Sequence, residues 1–456
     1  MSTAVADHGP IATQTPSFNF SRGWALLVAY FSYRRNRGSR MPVQARLAAV
    51  VCSAFCLTSS LAVTAETPKA LCQPTVSKPV VVATAAQRLA AGQRAEPPLT
   101  DTFDWPDTPL GIIKTDAGYE FFGSDGGFHA QQTWEGREVG NNKSGSVVVT
   151  SGTLDNPLGT GDPHDVSISP NPDPAVNPNY SSYGYMGGGP VFQIPQGLPH
   201  AGDLLVTYHA ELPNDALYAA LGLAASSDNG RHWRDLGEVV RLNQAYAIGL
   251  DGFEIGDGPL VVSPDHKYFY LYFPDWLANG TLHTANANGV STTTHVSVAR
   301  ALVSSVLEAA FGPEQRWNFD EDEAAKSRPH TVAFEKFYDG TWNLQPGLGG
   351  ASTDLSPKSA YSGYIDIRYN TDIERYVMII SNDTNFAYAE SVDALNWTVP
   401  VLLGNFETIA AYPTAVGLGD DPHILGKRFY VYFTHLPTDG TGWTNGSLQR
   451  LTLTCE

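Results

Sequence analysis

Five aromatic-rich runs punctuate this chain, and four of the five end in a carboxylate. They are GYEFFGSD (118–125), GDLLVTYHAE (202–211), HKYFYLYFPD (266–275), ERYVMIISND (374–383) and KRFYVYFTH (427–435), closing on Asp125, Glu211, Asp275, Asp383 and His435. Asp107, Asp257 and Asp366 stand at or near the starts of the apolar runs that precede three of them. Carboxylates in pairs suit glycoside hydrolysis: one protonates the leaving oxygen, the other activates water or attacks carbon. Crowded like charges raise one pKa and leave another low. Asp125, Asp257 and Asp366 are the first candidates for such a set, with Glu211 and Asp383 next. Acid, base and nucleophile stay unassigned among them. The competing reading is that loops of an acidic protein carry Asp as turn-formers and solvated charge.

Aromatic and polar neighbours offer a binding surface. Tyr208, Tyr272, Phe273, Trp276 and Trp342 are candidates to stack on sugar rings. Arg368 lies two residues from Asp366 in SGYIDIRYN, on the same face of a strand. The two read equally as a functional pair or a structural ion pair. His164 and Asp165 fall in a long insertion that is expected to cap the site. GTGDPHD (159–165) and GDDPHI (419–424) repeat an Asp-Pro-His turn. Such clusters can take Ca²⁺ or Zn²⁺, yet Asp-Pro-His turns also simply shape loops. No cofactor is expected to be required, and a structural Ca²⁺ stays open.

The elements that must position these groups are short strands. Each aromatic run follows another apolar run: PLGIIKT (109–115), GPVFQIP (189–195), GPLVVSP (258–264), GYIDIRY (363–369) and PTAVGLG (413–419). Gly, Pro, Asn or Asp in the connections makes each pair a hairpin. SSVLEAAF (304–311) is expected to be a short helix, and PVVVATA (79–85) to hold a strand within an Ala/Pro/Thr-rich linker. Repeated antiparallel units that close on themselves predict an all-β, five-bladed β-propeller of four-stranded blades. A β-sandwich fits the periodicity equally well.

The stretch SSDNGRHW separates the two folds. Ser226, Asp228, Gly230 and Trp233 resemble the Asp-box of sialidases and other propeller proteins, and Ser391, Asp393 and Trp397 form a second copy with Leu395 in the Gly place. In that family the box is the turn between the third and fourth strands of a blade. The resemblance therefore favours a propeller. It also puts both boxes on the face of the hairpin turns, opposite the carboxylate-bearing ends of the second strands. The runs VARALVSSVLEAAF, FYDGTWNLQPGLGG and SGYIDIRYNTDIERYVMII look like five-bladed propeller glycoside hydrolases, the arabinanases and the endo-D-arabinanase-like family among them. The counterparts of that family's Gly-Asp and Arg-Tyr-Asn strands are Ser124-Asp125 and Arg368-Tyr369-Asn370. A true sialidase needs an arginine within Phe-Arg-Ile-Pro, and here FQIP (192–195) places Gln193 there. The resemblance implies a glycosidase on extracellular or cell-wall polysaccharide. A lectin-like, non-catalytic propeller shares the fold and the aromatics.

Bulk properties set the compartment. Residues 1–65 carry a net +5, which leaves −23 for the rest of a chain whose total is −18. Arg46 followed by LAAVVCSAFCLTSSLAV and TA/ET reads as a signal peptide cleaved after Ala65, against the alternative of a membrane anchor. Met41 is a second candidate start. The expected organisation is an N-terminal extension and signal over 1–65, a linker over 66–101 and a propeller over 102–456. The protein is then secreted or periplasmic, a monomer, and free of the membrane once the signal is removed. Charge of this sign excludes nucleic acid as the main partner. Cys52 and Cys56 leave with the signal. Cys72 and Cys455 remain, and in an oxidising compartment they are expected to tie the two ends together.

Overall fold

The computed structural model describes residues 71–94, 109–124, 145–168, 185–211, 219–242, 255–275, 295–312, 332–343, 351–356, 364–437 and 445–456, apart from positions 257, 333 and 383. Thr67–Glu456 is one compact unit.

The described residues begin with β1 (Pro74–Val76), β2 (Val80–Ala83) and α1 (Ala85–Gly92). Blade one is β3 (Gly111–Thr115), β4 (Gly118–Ser124), β5 (Gly145–Gly152) and β6 (His164–Ile168). Blade two is β7 (Tyr185–Gln193), β8 (Leu204–Glu211), β9 (Ala219–Ser226) and β10 (Arg234–Arg241). Blade three has β11 (Leu260–Val262), β12 (Tyr268–Asp275) and β13 (His295–Leu302), then α2 (Val303–Phe311), then β14 (Glu335–Tyr338) and β15 (Thr341–Asn343). Blade four is β16 (Ile365–Asn370), β17 (Arg375–Asn382), β18 (Asn385–Ser391) and β19 (Val401–Leu403). Blade five has β20 (Ala410–Gly417), a two-residue β21 (Ile424–Leu425), β22 (Arg428–His435) and β23 (Ser447–Cys455).

Apart from β21, successive strands within each blade pair antiparallel, as the hairpin pattern predicts. A parallel pairing of Ser146 with Gly187 joins blades one and two into a single hydrogen-bonded sheet. First strands meet round the ring, β3 against β7, β11 against β16 and β16 against β20, so they are the inner strands. Blade five closes on the N-terminal segment: β1 pairs with Pro74 opposite Cys455, and β2 with Val80 opposite Arg450, both on β23. The segment expected as a linker with one strand thus carries two strands and a helix and supplies the outer edge of the last blade. Thr84 caps α1, its hydroxyl accepting from the N–H of Gln87. The expected bond between Cys72 and Cys455 is present. Beside it Glu390 of blade four accepts the N–H of Cys72 at 2.8 Å and the hydroxyl of Tyr388 at 2.7 Å.

Alternate side chains of a strand point to opposite sides, but a blade inside a propeller is packed on both. All eight residues of β9 are buried, and so are five of β12 in an unbroken run. Aromatic residues fill the spaces between blades. Phe192 meets Phe269 edge-on at 5.9 Å, and Phe121 meets Tyr432 at 6.3 Å.

Candidate active site

Antiparallel blades put the first–second and third–fourth turns on one face. Ser–Asp turns mark that face. Ser226 Oγ donates to Asp228 Oδ1 at 2.8 Å and accepts the N–H of Gly230 at 2.9 Å. The same pattern links Ser391 Oγ to Asp393 Oδ1 at 2.9 Å. A third example, not singled out in the sequence, joins Ser263 Oγ to Asp265 Oδ1 at 2.6 Å in the β11–β12 turn. Burial works against the charge of Asp228, yet the bonds from His232 and Ser226 outweigh it and hold the carboxyl below its ordinary pKa. These carboxylates are occupied in shaping turns.

The turn between β20 and β22 extends across the centre on this same face. β21 within it pairs in parallel with β16. His423, directly before β21, is buried, and its Nε2 accepts the N–H of Gln193, at the end of β7, at 3.1 Å. Its ring lies 4.8 Å from that of Phe192. Asp421 Oδ1 accepts the N–H of His423 at 2.8 Å. Burial first, and the Arg368 charge second, hold the imidazole well below its usual pKa, so it is neutral. GDDPHI is therefore a plug that ties blade five to blades two and four. Among the described residues no group of three or more His, Cys, Asp or Glu side chains is placed to hold a metal ion.

Above the plug, the inner strand of blade four presents Asp366 and Arg368 to blade five. Asp366 Oδ2 accepts the N–H of Ala415 at 2.7 Å, and its Oδ1 lies 3.2 Å from the Arg368 guanidinium. Arg368 Nε donates to the carbonyl of the same Ala415 at 3.2 Å. The two side chains share a strand face, as their spacing predicts, and both are enclosed. Burial pushes the Asp366 carboxyl up to about 6, against the pull of Arg368 and of the Ala415 N–H.

The opposite face carries the ends of the second strands. Glu211 closes β8 and Asp275 closes β12. Asp275 is fully enclosed: Ser352 Oγ donates to its Oδ2 at 2.6 Å, and Ser352 lies 2.9 Å from Ser297 Oγ. The buried ammonium of Lys336 also faces Asp275 electrostatically and donates to the carbonyl of Arg241, whose side chain pairs with buried Glu238 at 2.6 Å. Burial lowers the Lys336 pKa, and Asp275 partly offsets that. His435 closes β22, with Thr408 Oγ1 3.2 Å from its Nε2. Burial lowers its pKa, with Glu407 opposing.

Asp125, Asp257, Asp383 and Trp276 lie outside the described residues, as does the side chain of Glu211. Asp125 and Asp383 are next in sequence after β4 and β17. The chain beside Asp257 is pinned. Gly258 donates to Gly256 O at 2.8 Å, and Gly258 O accepts the Thr207 hydroxyl at 2.9 Å. Gly258 sits at φ +64°, where a Cβ would lie 2.9 Å from Thr207 Oγ1, so glycine is required.

Five expected sugar contacts are corrected, two of them Tyr208 and Phe273, both 0 % exposed. Tyr272 is 0 % exposed, its hydroxyl donating to the carbonyl of Ala394 at 2.7 Å across the boundary of blades three and four. Trp342 sits on the outer strand β15, 4.1 Å from the Arg300 guanidinium and 5.8 Å from the Tyr270 ring. His164 starts the outer strand β6, exposed, on the side of the Ser–Asp turns, and so does not cap the opposite face. Two residues went unnoticed in the sequence: Tyr364 and Tyr412, whose rings meet with centroids 4.0 Å apart. A tyrosine directly before Pro413 was the one available signal.

No protein-family model matches the chain, and neither does any curated protein. Solved structures share part of its shape. A β-xylosidase matches at 12 % identity over 76 % of this chain and 93 % of its own, with a TM-score of 0.39. A family-93 α-L-arabinofuranosidase of Fusarium graminearum, solved with arabinobiose, matches at 10 % identity over 76 % of each chain, with a TM-score of 0.38. An exo-β-1,3-galactanase of Phanerochaete chrysosporium matches at 13 % identity over 55 % of this chain, with a TM-score of 0.32, and only 44 % of its length is spanned. At these values the likeness carries no argument, and the propeller assignment rests on the strand pairings themselves.

Proposed function

We propose that the protein is a glycoside hydrolase of extracellular or cell-wall polysaccharide, exported as a monomer after cleavage behind Ala65. The observation that carries this is register. Strands β8 and β12 end on Glu211 and Asp275 at equivalent strand ends, and in the sequence Asp125 and Asp383 follow the last residues of β4 and β17. The reacting pair is drawn from Asp125, Asp257, Glu211 and Asp383. Asp366, enclosed between blades four and five, sets local charge as a positioning residue. The acid of the pair holds its proton because like charge and low dielectric raise its pKa. The other carboxylate works ionised. The Ser–Asp turns are read as Asp-boxes on the non-reacting face.

A lectin-like propeller is the second reading. One observation favours it: Asp275 at the end of β12 and Asp366 on β16 are both closed to solvent. The test is release of reducing sugar from arabinan, arabinogalactan, xylan, fructan and sialoglycans by the secreted protein. The hydrolase reading expects release from one of these, lost in Asp125→Asn or Asp257→Asn. Binding without release, unaltered by those substitutions, overturns it in favour of the lectin.

A further inference from the structure

Seven described residues other than glycine have positive φ, and six of them, His200, Asn229, His266, Asp339, Glu374 and Ala394, sit in turns or bends. The seventh is Tyr412, at φ +54°, inside the inner strand β20. A bulky residue in the left-handed region is an outlier that the surrounding structure must enforce. A turn needs that conformation, whereas a strand does not. The pairing of β20 with β22 skips from Ala411 to Thr414, so Tyr412 and Pro413 form a bulge. Bulges re-aim side chains and recur beside active sites.

Here the bulge aims the Tyr412 ring at Tyr364, with an angle of 43° between the rings. Tyr364 directly precedes β16, and its carbonyl accepts the N–H of Ser381, near the end of β17. Both tyrosines therefore stand at the edge that carries the second-strand ends, on the inner strands of neighbouring blades. Both are half-buried. Tyr364, Asp366 and Arg368 alternate along one strand face, so the tyrosine pair is the uppermost layer of the row that continues through Asp366 to the His423 plug.

We infer that Tyr364 and Tyr412 form a carbohydrate-binding platform, a subsite where the apolar C–H face of a sugar ring lies against the paired rings. Two half-buried tyrosine rings at the edge that carries the second-strand ends suit a ligand that is polar at its rim and apolar on its face. The inference rests on the proposed function for its ligand class, a glycan, and not for the chemistry performed on it.

Titration calorimetry with arabino-, xylo- and galacto-oligosaccharides, run beside hydrolysis of the same compounds, tests it on the secreted protein. Tyr412→Gly removes the ring and accepts the backbone without strain. It and Tyr364→Ala should each weaken binding, or raise KM, about tenfold, with Tyr412→Phe within about twofold of wild type. Tyr412→Gly should melt no lower than wild type. If it does not fold, Tyr412→Asn tolerates the same φ and replaces it. Unchanged affinity in the ring-deleted variants overturns the platform, and so does a wild type that binds none of the three series. Binding that depends on the tyrosines without cleavage sinks the hydrolase and leaves the platform standing. Cleavage with unchanged KM in the variants does the reverse.

Discussion

Arg368 faces Asp366 at 3.2 Å, and the two side chains, 3 % and 0 % exposed, grip the N–H and the carbonyl of one residue, Ala415, in the next blade. An ion pair this enclosed loses much of its attraction to desolvation, whereas removing one partner strands a buried charge. Arg368→Met should therefore cost about 3–5 kcal/mol in urea unfolding. The double variant Asp366→Asn/Arg368→Met should recover much of that, because the asparagine oxygen still accepts from Ala415. A double variant as unstable as the single one would show that the cost is packing and not charge.

His423 and Asp366 give opposite pH slopes. Burial depresses the folded pKa of His423, so the unfolded chain takes up its proton first, and the stability due to neutral His423 is present above its ordinary pKa of 6.5 and lost as pH falls. Burial raises Asp366 from 3.8 to about 6, so its contribution is full below 3.8 and is lost as pH rises through about 6. The melting temperature of wild type should exceed that of His423→Gln at pH 7.5, and the gap should narrow by pH 5.5. Asp366→Asn should flatten the opposing slope between pH 4 and pH 7. A constant gap across the range would mean that His423 is not held neutral.

The hairpins were legible because turn residues and apolar runs alternate locally, and each of the five pairs lies where the pattern put it. The closing strands were less so, since PTV and VVVA sit in an Ala- and Pro-rich stretch and acquire their meaning only from β23. Side-chain roles were harder. A blade strand packed on both sides reads as continuous apolar sequence, so Tyr272, a filler between blades, looks the same in sequence as an aromatic at the mouth. The backbone outlier at Tyr412 has no signature in composition or period. Asp366 and Arg368 were legible as neighbours on one face, but Ala415, which gives the pair its role, is 49 residues away from Asp366.

The Cys72–Cys455 bond spans 383 residues and holds the first strand against the last. Cross-linking so long a loop restricts the unfolded chain, and loss of a native disulfide costs about 2–5 kcal/mol. Cys72→Ser/Cys455→Ser should lower the melting temperature and make the segment from 71 to 94 the first site of limited proteolysis. Wild type in reductant should behave the same way. Cleavage starting elsewhere would show that β1 and β2 stay docked without the bond.

Gly230 separates shape from chemistry. It sits at φ +78° in the turn after Asp228, and a Cβ there would lie 2.8 Å from Phe122 Cε1 and 3.2 Å from Trp233 Cζ2. Gly230→Ala thus combines an unfavourable φ with overpacking, a loss of about 1–3 kcal/mol. Asp228→Ala removes the acceptor for Ser226 and for the N–H of His232, a loss of about 1 kcal/mol. Both variants should unfold at lower urea while kcat/KM on whichever glycan the wild type cleaves stays within about twofold, since the turn lies on the face away from the proposed carboxylates. A large fall in kcat with stability unchanged would place chemistry at SSDNGRHW and reverse the assignment of the two faces.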